Sequence, residues 1–370
     1  MKFLHTSDWQ VGMKALRCGA AASTIRDERL AAGRRVVEFA NANGAEWVLL
    51  AGDLFEDNAV DRSLVRNASS ILNSFRGRVF VIPGNHDPLI PGSVWDDPCW
   101  DACSNVTILR EASPVEVPGG MLFPCPAFSK YSLDDPTAWI SAASHKNTIC
   151  VGIAHGSVDG IGVEDMEYPI PIDAAQRSGL DYLALGHWHS KNLFPAPNNV
   201  TRMAYSGTHE TTAFGERNSG NVLLVEIPER NATPIITPFR TGELSWKTIA
   251  RQIRNPQDLK NVQKELEDII MPKRTILDVT LAGLLHPEMY GQLDDLSDMV
   301  KSRFLFGQMN SHLLPSPADD SWIFNLPVGV IRSAAERLRQ MASEPEPGND
   351  PEVAAAALLE LYKISHEVPK

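Results

Sequence analysis

Five short apolar runs in the first two-thirds of the 370-residue chain each end in a residue type that binds metals. The runs are Met1–Thr6, Trp47–Ala51, Val79–Pro83, Ile149–Ala154 and Tyr182–Leu185. They lead into Ser7-Asp8-Trp9-Gln10, Gly52-Asp53, Gly84-Asn85-His86-Asp87, Ala154-His155-Gly156 and Gly186-His187-Trp188-His189. Nearly continuous apolar runs of this length are expected of strands buried on both faces. Open α/β sheets place their binding sites at the carboxyl ends of the strands, so motifs spread from residue 8 to residue 189 are expected to meet in one crevice.

The intervening sequence fits a parallel core. Thr24–Ala42 carries Ile25, Leu30, Val36, Val37, Phe39 and Ala40 at helical spacing, with Gly44 as a stop signal. Asp61–Phe75 repeats the pattern with Leu64, Val65, Ala68, Ile71 and Leu72 inward. Right-handed crossovers then make residues 1–83 a strand-helix-strand-helix-strand unit. From Val106 the texture changes to short strands (Thr107–Leu109, Val115–Val117, Met121–Pro124) broken by prolines and glycines, which predicts an antiparallel second sheet. Asp135-Pro136 reads as an N-cap opening a helix through Ala143. Val222–Ile227 and Ile235–Phe239 read as closing strands, and Ser157–Pro171 as a mobile loop.

The ligand-bearing pattern stops near Gly242–Trp246, so the expected domains are 1–242, a small α/β unit over 243–320, and a helical segment over 321–370. The small unit reads as Thr275–Leu284 strand, Pro287–Lys301 helix and Phe304–Leu314 strand, followed by a Pro315–Asp320 turn. Helices Pro327–Ala342 and Pro351–His366, joined by the linker Ser343–Asp350, carry apolar stripes (Val328, Ile331, Ala334, Ala335, Leu338; Val353, Ala354, Ala357, Leu358, Leu361, Ile364) expected to pack on the chain's own core.

With 43% apolar and 22% charged residues the composition is that of an ordinary soluble globular protein, and no apolar stretch is long enough to span a membrane. The start directly into a strand gives a cytoplasmic expectation. Five irregularly spaced cysteines argue against a disulfide framework, and Cys99 with Cys103 lacks the second pair that a zinc site would need. The net charge of −12 disfavours nucleic-acid binding as a bulk property. It does not exclude it, since acids that hold cations no longer count against the local field.

Asp8, Asp53, Asn85, His155, His187 and His189 offer carboxylate, amide and imidazole donors, a mixture suited to manganese, iron or zinc. An aspartate such as Asp53 can bridge two cations, and a paired-cation site suits in-line displacement at phosphorus. Phosphoester hydrolysis is the reaction these residue types point to.

The motifs D-x-Q, G-D, G-N-H-D, H-G and G-H-W-H, in this order and each after a strand, resemble those of the calcineurin-like metallophosphoesterases. Leu4-His5-Thr6-Ser7-Asp8-Trp9, Ala51-Gly52-Asp53-Leu54-Phe55 and Tyr205-Ser206-Gly207 resemble the DNA-repair branch, SbcD and its counterpart the Mre-eleven nuclease. The resemblance covers residues 1–240 and is weaker beyond. It implies an α/β fold, a four-layer α-β-β-α sandwich with a small capping domain and C-terminal helices. It also implies a manganese-dependent DNA nuclease with two cations per chain (Mg2+, Fe2+ or Zn2+ in their place), a homodimer, and an SbcC-like ABC/SMC coiled-coil ATPase partner.

Carried over position by position, the first cation would be held by Asp8, Gln10, Asp53 and His189, and the second by Asp53, Asn85, His155 and His187. His86 would protonate the leaving 3′ oxygen, with Asp87 orienting its imidazole. Gln10 departs from the family's histidine and is a weaker donor. Two other readings follow: hydrolysis of small phosphodiesters or nucleotides, and a catalytically weakened scaffold regulating an ATPase. His5, inside its strand, is expected in the core. His209 reads as a plain loop histidine, Arg202, Arg217 and Lys191 as solvated cations, and Trp95 and Trp100 as local packing.

Overall fold

The computed structural model describes residues 1–160, 167–196, 199–285, 289–315, 320–343 and 350–367. Most of the Ser343–Asp350 linker and of the Pro315–Asp320 turn, and the centre of the Ser157–Pro171 loop, lie outside them. The chain divides into two compact units, Met1–Trp246 and Lys247–Lys370.

In the first unit the elements are β1 (Lys2–Thr6), α1 (Ala22–Ala42), β2 (Trp47–Ala51), α2 (Arg62–Asn73), β3 (Arg78–Ile82), β4 (Val106–Ile108), β5 (Val115–Val117), β6 (Gly120–Cys125), β7 (Ile149–His155), α3 (Ala174–Arg177), β8 (Tyr182–Gly186), β9 (Asn192–Pro195), β10 (Thr201–Tyr205), β11 (Asn221–Glu226) and β12 (Ile235–Arg240). They form two six-stranded sheets, ordered β12-β11-β1-β2-β3-β4 and β5-β6-β7-β8-β10-β9.

Burial on both faces explains the continuous apolar runs, because three apolar layers alternate with the sheets. Val36, Val37 and Ala40 of α1 and Ala68, Ile71 and Leu72 of α2 pack on Leu4, Val48, Leu50 and Val81 of the first sheet. Phe3, Trp47, Leu49 and Phe80 from the other face meet Leu122, Val151, Ile153, Tyr182 and Ala184 of the second sheet. The outer face of that sheet is covered by Ile140, Ala142, Ala174, Ala175 and Leu180. The layering is therefore α-β-β-α, with a thin outer layer of turns and the four-residue α3.

Three local expectations are corrected. The second sheet has a parallel core, β6-β7-β8-β10, and only its edge pairs β5-β6 and β9-β10 are antiparallel. β4 belongs to the first sheet, parallel to β3. Prolines and glycines mark interruptions in a chain but not the direction in which the next strand returns. Asp135–Ala143 forms turns that end in a single 3-10 turn at Ala142–Ser144 instead of one helix, since Asp135 Oδ1 accepts the backbone N–H (2.8 Å) and hydroxyl (2.6 Å) of Thr137. Such local bonds compete with helix formation.

The second unit holds all but the first two residues of β13 (Ser245–Ile253), then α4 (Pro256–Glu267), β14 (Thr275–Leu285), α5 (Tyr290–Arg303), β15 (Phe306–Pro315), α6 (Trp322–Asn325), α7 (Val330–Ser343) and α8 (Pro351–Glu367). Its sheet runs β13-β14-β15, with β14 and β15 parallel. One apolar cluster joins the sheet to α4 and α5, and another gathers Leu284, Trp322, Ile323, Ala335, Leu358 and Tyr362. The stripes on the last two helices are buried less than their spacing predicts. Ala335, Ala354 and Leu358 are covered, but Ile331, Val353 and Ile364 are 57–63% exposed, and Val328, 91% exposed, lies in a turn because α7 starts at Val330 and not at Pro327. No helix among the described residues is long and apolar enough to cross a membrane.

Candidate metal centre

The carboxyl ends of β1, β2, β3, β7 and β8 deliver the candidate ligands. Close approach of these turns requires glycine: a Cβ on Gly84 would lie 2.2 Å from Asp53 Oδ1, and one on Gly186 would lie 1.8 Å from the Ala51 carbonyl. Asp8, Gln10, Asp53 and His187 all have positive φ, a conformation that costs energy in non-glycine residues and gathers at functional sites.

Asp8, Asp53 and His155 each bring one ligand atom within 4.8 Å of the others, and all three are buried. Asp8 Oδ2 accepts from Ser7 Oγ at 2.5 Å, and its carboxylate also accepts the His187 backbone N–H. Asp53 Oδ1 accepts the His86 backbone N–H at 2.9 Å. His155 Nδ1 donates to the Ala51 carbonyl at 2.8 Å. Its Nε2 faces Asn85 Oδ1 at 2.9 Å and Asp53 Oδ2 at 3.3 Å, while His187 Nδ1 lies 3.2 Å from the same Asn85 oxygen. Gln10 and His189 form a separate pair, with Gln10 Nε2 3.1 Å from His189 Nε2.

This donor set fits a cation. With Nδ1 committed to Ala51, the Nε2 lone pair of a neutral His155 would point at two oxygens, and only a proton or a metal relieves that. Burial works against a charged His155, but Asp53 and Asp8 overcome it and hold the imidazole up at about 9. Burial likewise raises the Asp53 carboxyl, yet the His155 charge and hydrogen bond bring it down to about 2. Burial and then the His155 charge push His187 down to about 3.

A stability prediction follows for metal-free protein. The His155 folded-state value lies above the ordinary 6.5, so the stabilisation from its proton is complete below pH 6.5 and is lost as pH rises towards 9. A chelated sample is expected to melt at progressively lower temperature across that window, and a manganese-saturated sample to fall less steeply. Calorimetry with and without chelator checks this; equal slopes would refute it.

His86 and Asp87 are placed differently from the expectation that Asp87 orients the imidazole. The His86 ring is held by Nδ1 donating to the Glu56 carbonyl at 2.9 Å. The Asp87 oxygens are already taken by the backbone N–H groups of Phe55 (2.9 Å) and Gly84 (2.7 Å). Asp87 is a buried brace between two motif turns, with burial and then the Asp53 charge pushing its carboxyl to about 7. A motif shows which residues are neighbours in sequence, but the Glu56 carbonyl comes from a different turn.

Other candidates fall into structural places. His5 is buried between Tyr182 Oη (3.0 Å) and the Leu185 carbonyl (3.1 Å), and burial lowers it to about 3. His209 is fully buried, stacked on Trp9 at 4.7 Å and donating to the Arg29 carbonyl, so it is a core residue instead of an open loop histidine. Trp95 and Trp100 pack on Phe55. Arg202 pairs with the buried Asp181, and Arg217 is exposed. The Cys103 thiol donates to the Cys99 and Ser69 carbonyls, and all five cysteines are free.

Sequence reasoning missed Arg29, Glu167 and Glu216. Arg29 is buried in α1 and donates to the carbonyls of Asp8, Trp9 and Glu210 and to Thr208 Oγ1. Glu167 Oε2 accepts from Asn85 Nδ2 at 2.8 Å, and Glu216 Oε1 from His189 Nδ1 at 2.8 Å. The only signal for Arg29 was a cation on the apolar face of a helix; the two glutamates carried none.

The family model described as calcineurin-like phosphoesterase matches residues 1–191. The uncharacterized metallophosphoesterase YhaO of Bacillus subtilis (strain 168) is 26% identical over 255 residues, which cover 66% of this chain and 60% of that protein. Among solved structures, TT1561 of Thermus thermophilus aligns over 65% of this chain and 98% of its own, at 10% identity and a TM-score of 0.43. Vps29 complexed with Zn2+ from Entamoeba histolytica aligns over 65% and 99%, at 11% identity and a TM-score of 0.32.

Proposed function

The chain belongs to the calcineurin-like phosphoesterase family, and from that premise we propose that it is a manganese-dependent DNA nuclease of the SbcD and Mre-eleven kind, hydrolysing phosphodiesters at or near DNA ends. The observation that carries the hydrolytic reading is the meeting of Asp8, Asp53, Asn85, His155 and His187 at one edge, with His86 bonded through its backbone to Asp53. Asp8, Gln10, Asp53 and His189 would hold one cation, and Asp53, Asn85, His155 and His187 the other. Two bound cations supply Lewis acidity at the phosphoryl oxygens and charge neutralisation in an in-line displacement.

The residues of the chain do the rest. His86 has Nδ1–H committed to the Glu56 carbonyl, so Nε2 is the nitrogen that carries the proton for the leaving 3′ oxygen. Asp87 keeps the Gly84 and Phe55 turns in register, which sets the backbone position of His86. Asn85 and His187 meet at one amide oxygen, so their donor atoms are already gathered before any ligand arrives.

The DNA substrate and the partner rest on further support. The phrases Leu4–Trp9, Ala51–Phe55 and Tyr205–Gly207 resemble the DNA-repair branch, and a second compact unit follows the matched region. The exposed Ile331, Val353 and Ile364 on the terminal helices, with Val328 in the turn before α7, suit docking to a coiled-coil ATPase of the SbcC type. A homodimer and a cytoplasmic setting complete the proposal.

Digestion of end-labelled linear duplex and single-stranded DNA with manganese, magnesium or chelator, beside a chromogenic diester, tests it. Manganese-dependent DNA cleavage is expected. Cleavage of the diester alone would move the reading to small phosphodiesters, and no cleavage of any substrate would sink it.

A second reading, a scaffold of weakened activity, draws support from Gln10, whose amide lies on the His189 nitrogen that would face the first cation. Gln10→His separates the two. The nuclease reading expects a change of a few-fold in kcat, whereas a rise of about 100-fold, some 2.7 kcal/mol in barrier, would favour the scaffold.

A further inference from the structure

We propose that Glu216 and Glu167 are paired positioning residues, one serving each cation of the centre, an inference that rests on the two-cation reading above. Each carboxylate grips the far end of a candidate ligand and acts only through it. Glu216 Oε1 takes the Nδ1 proton of His189, which fixes the tautomer and leaves Nε2 as the donor on the cation side. Glu167 Oε2 takes an amide proton of Asn85, which fixes the amide so that Oδ1 faces His155 and His187.

Both glutamates are themselves braced. Glu216 Oε2 accepts the Thr212 backbone N–H at 2.8 Å, and the Thr212 hydroxyl bonds to Oε1. The turn that carries it is sewn to the His189 loop by Arg217 N–H to Ser190 Oγ (3.0 Å) and Lys191 N–H to the Asn218 carbonyl (3.2 Å). The Glu167 carbonyl accepts the Ser157 N–H at 3.0 Å, and the next residue, Tyr168, bonds through its N–H to the Ser132 carbonyl at 2.9 Å. An anionic acceptor on an imidazole or amide raises the donor strength of the opposite atom. At the first cation this offsets the weak donor Gln10. Neither glutamate lies in a ligand motif: Glu216 follows β10, and Glu167 falls between β7 and β8.

Isothermal titration of the full chain with Mn2+ tests the pairing, using His189→Ala and Asn85→Ala to mark the two binding steps. Glu216→Ala is expected to weaken the step lost in His189→Ala, and Glu167→Ala the step lost in Asn85→Ala, each by about 10–100-fold. Glu→Gln, which keeps an acceptor oxygen without the charge, should restore part of each loss. Losses should fail to add within a pair, Glu216 with His189, and should add across pairs, Glu216 with Asn85. Melting in chelator shows that each variant is folded. Unchanged Mn2+ affinity in both alanine variants, or both acting on the same step, would overturn the proposal. Absence of any Mn2+ uptake by the parent chain would overturn the two-cation reading itself, and this pairing with it.

Discussion

His86→Ala is expected to lower the rate of the proposed DNA cleavage by about 10²–10⁴-fold while leaving Mn2+ affinity and melting temperature close to the parent's. Among the described residues the ring makes one hydrogen bond, Nδ1 to the Glu56 carbonyl, and its backbone N–H to Asp53 survives the substitution. Truncation therefore removes the proposed proton carrier and little else. Single-turnover cleavage beside Mn2+ titration reads both halves. A variant that binds manganese normally and still cuts at the parent rate would remove His86 from the mechanism. One that loses manganese would mean that the imidazole supports the ligand set and is not chiefly an acid. A chromogenic diester with a good leaving group should suffer less than DNA, because such a leaving group needs less help from a proton.

The largest expected effect on stability comes from Arg29→Met, a loss of about 3–5 kcal/mol. The guanidinium is fully buried and donates to three backbone carbonyls and one hydroxyl around the Asp8 turn and the Thr208–Glu210 turn. Burial pulls its charge down, and Glu210, Glu216, Glu56 and Asp8 hold it up. Methionine matches much of the volume, but it takes both donors from the Trp9 carbonyl and leaves the Asp8 and Glu210 carbonyls to share the single Thr208 hydroxyl proton, and a buried unpaired acceptor forfeits its full solvation. Urea unfolding of the parent and the variant measures the difference; a loss below about 1 kcal/mol would show that water replaces the guanidinium. Because Arg29 ties down the carbonyls of Asp8 and Trp9, the variant is also expected to bind Mn2+ more weakly even at temperatures where it is folded.

Much of the candidate site was legible because its signal is local. An apolar run of strand length followed by Asp, Asn or His is visible in a handful of residues, and the rule that strands deliver ligands at their carboxyl ends does the long-range work. α1 and α2 were legible for a similar reason: helical spacing and Gly44 or Asp61 at the ends lie within one element. The Asp135–Ala143 helix failed because its cap was read without seeing that Thr137 satisfies Asp135 locally and Arg177 reaches it from α3. The direction of the second sheet failed because strand polarity depends on which neighbour each strand pairs with. His209 read as a loop residue because the Trp9 ring that covers it is about two hundred positions away in sequence.

By itself the sequence determined the strand runs, the crossover helices, the order of the ligand motifs and the chemical types of donor, all of which depend on residues within a few positions of one another. Only the tertiary structure decided which partner each donor has. It gave the His86 ring to the Glu56 carbonyl and not to Asp87, put Glu216 behind His189 and Glu167 behind Asn85, and buried Arg29 under the Asp8 turn. Hydrogen bonds and ion pairs are fixed by distances of about 3 Å. Which distant segments come that close depends on how the two sheets stack and where their turns meet, and that geometry is settled by the packing of the whole domain.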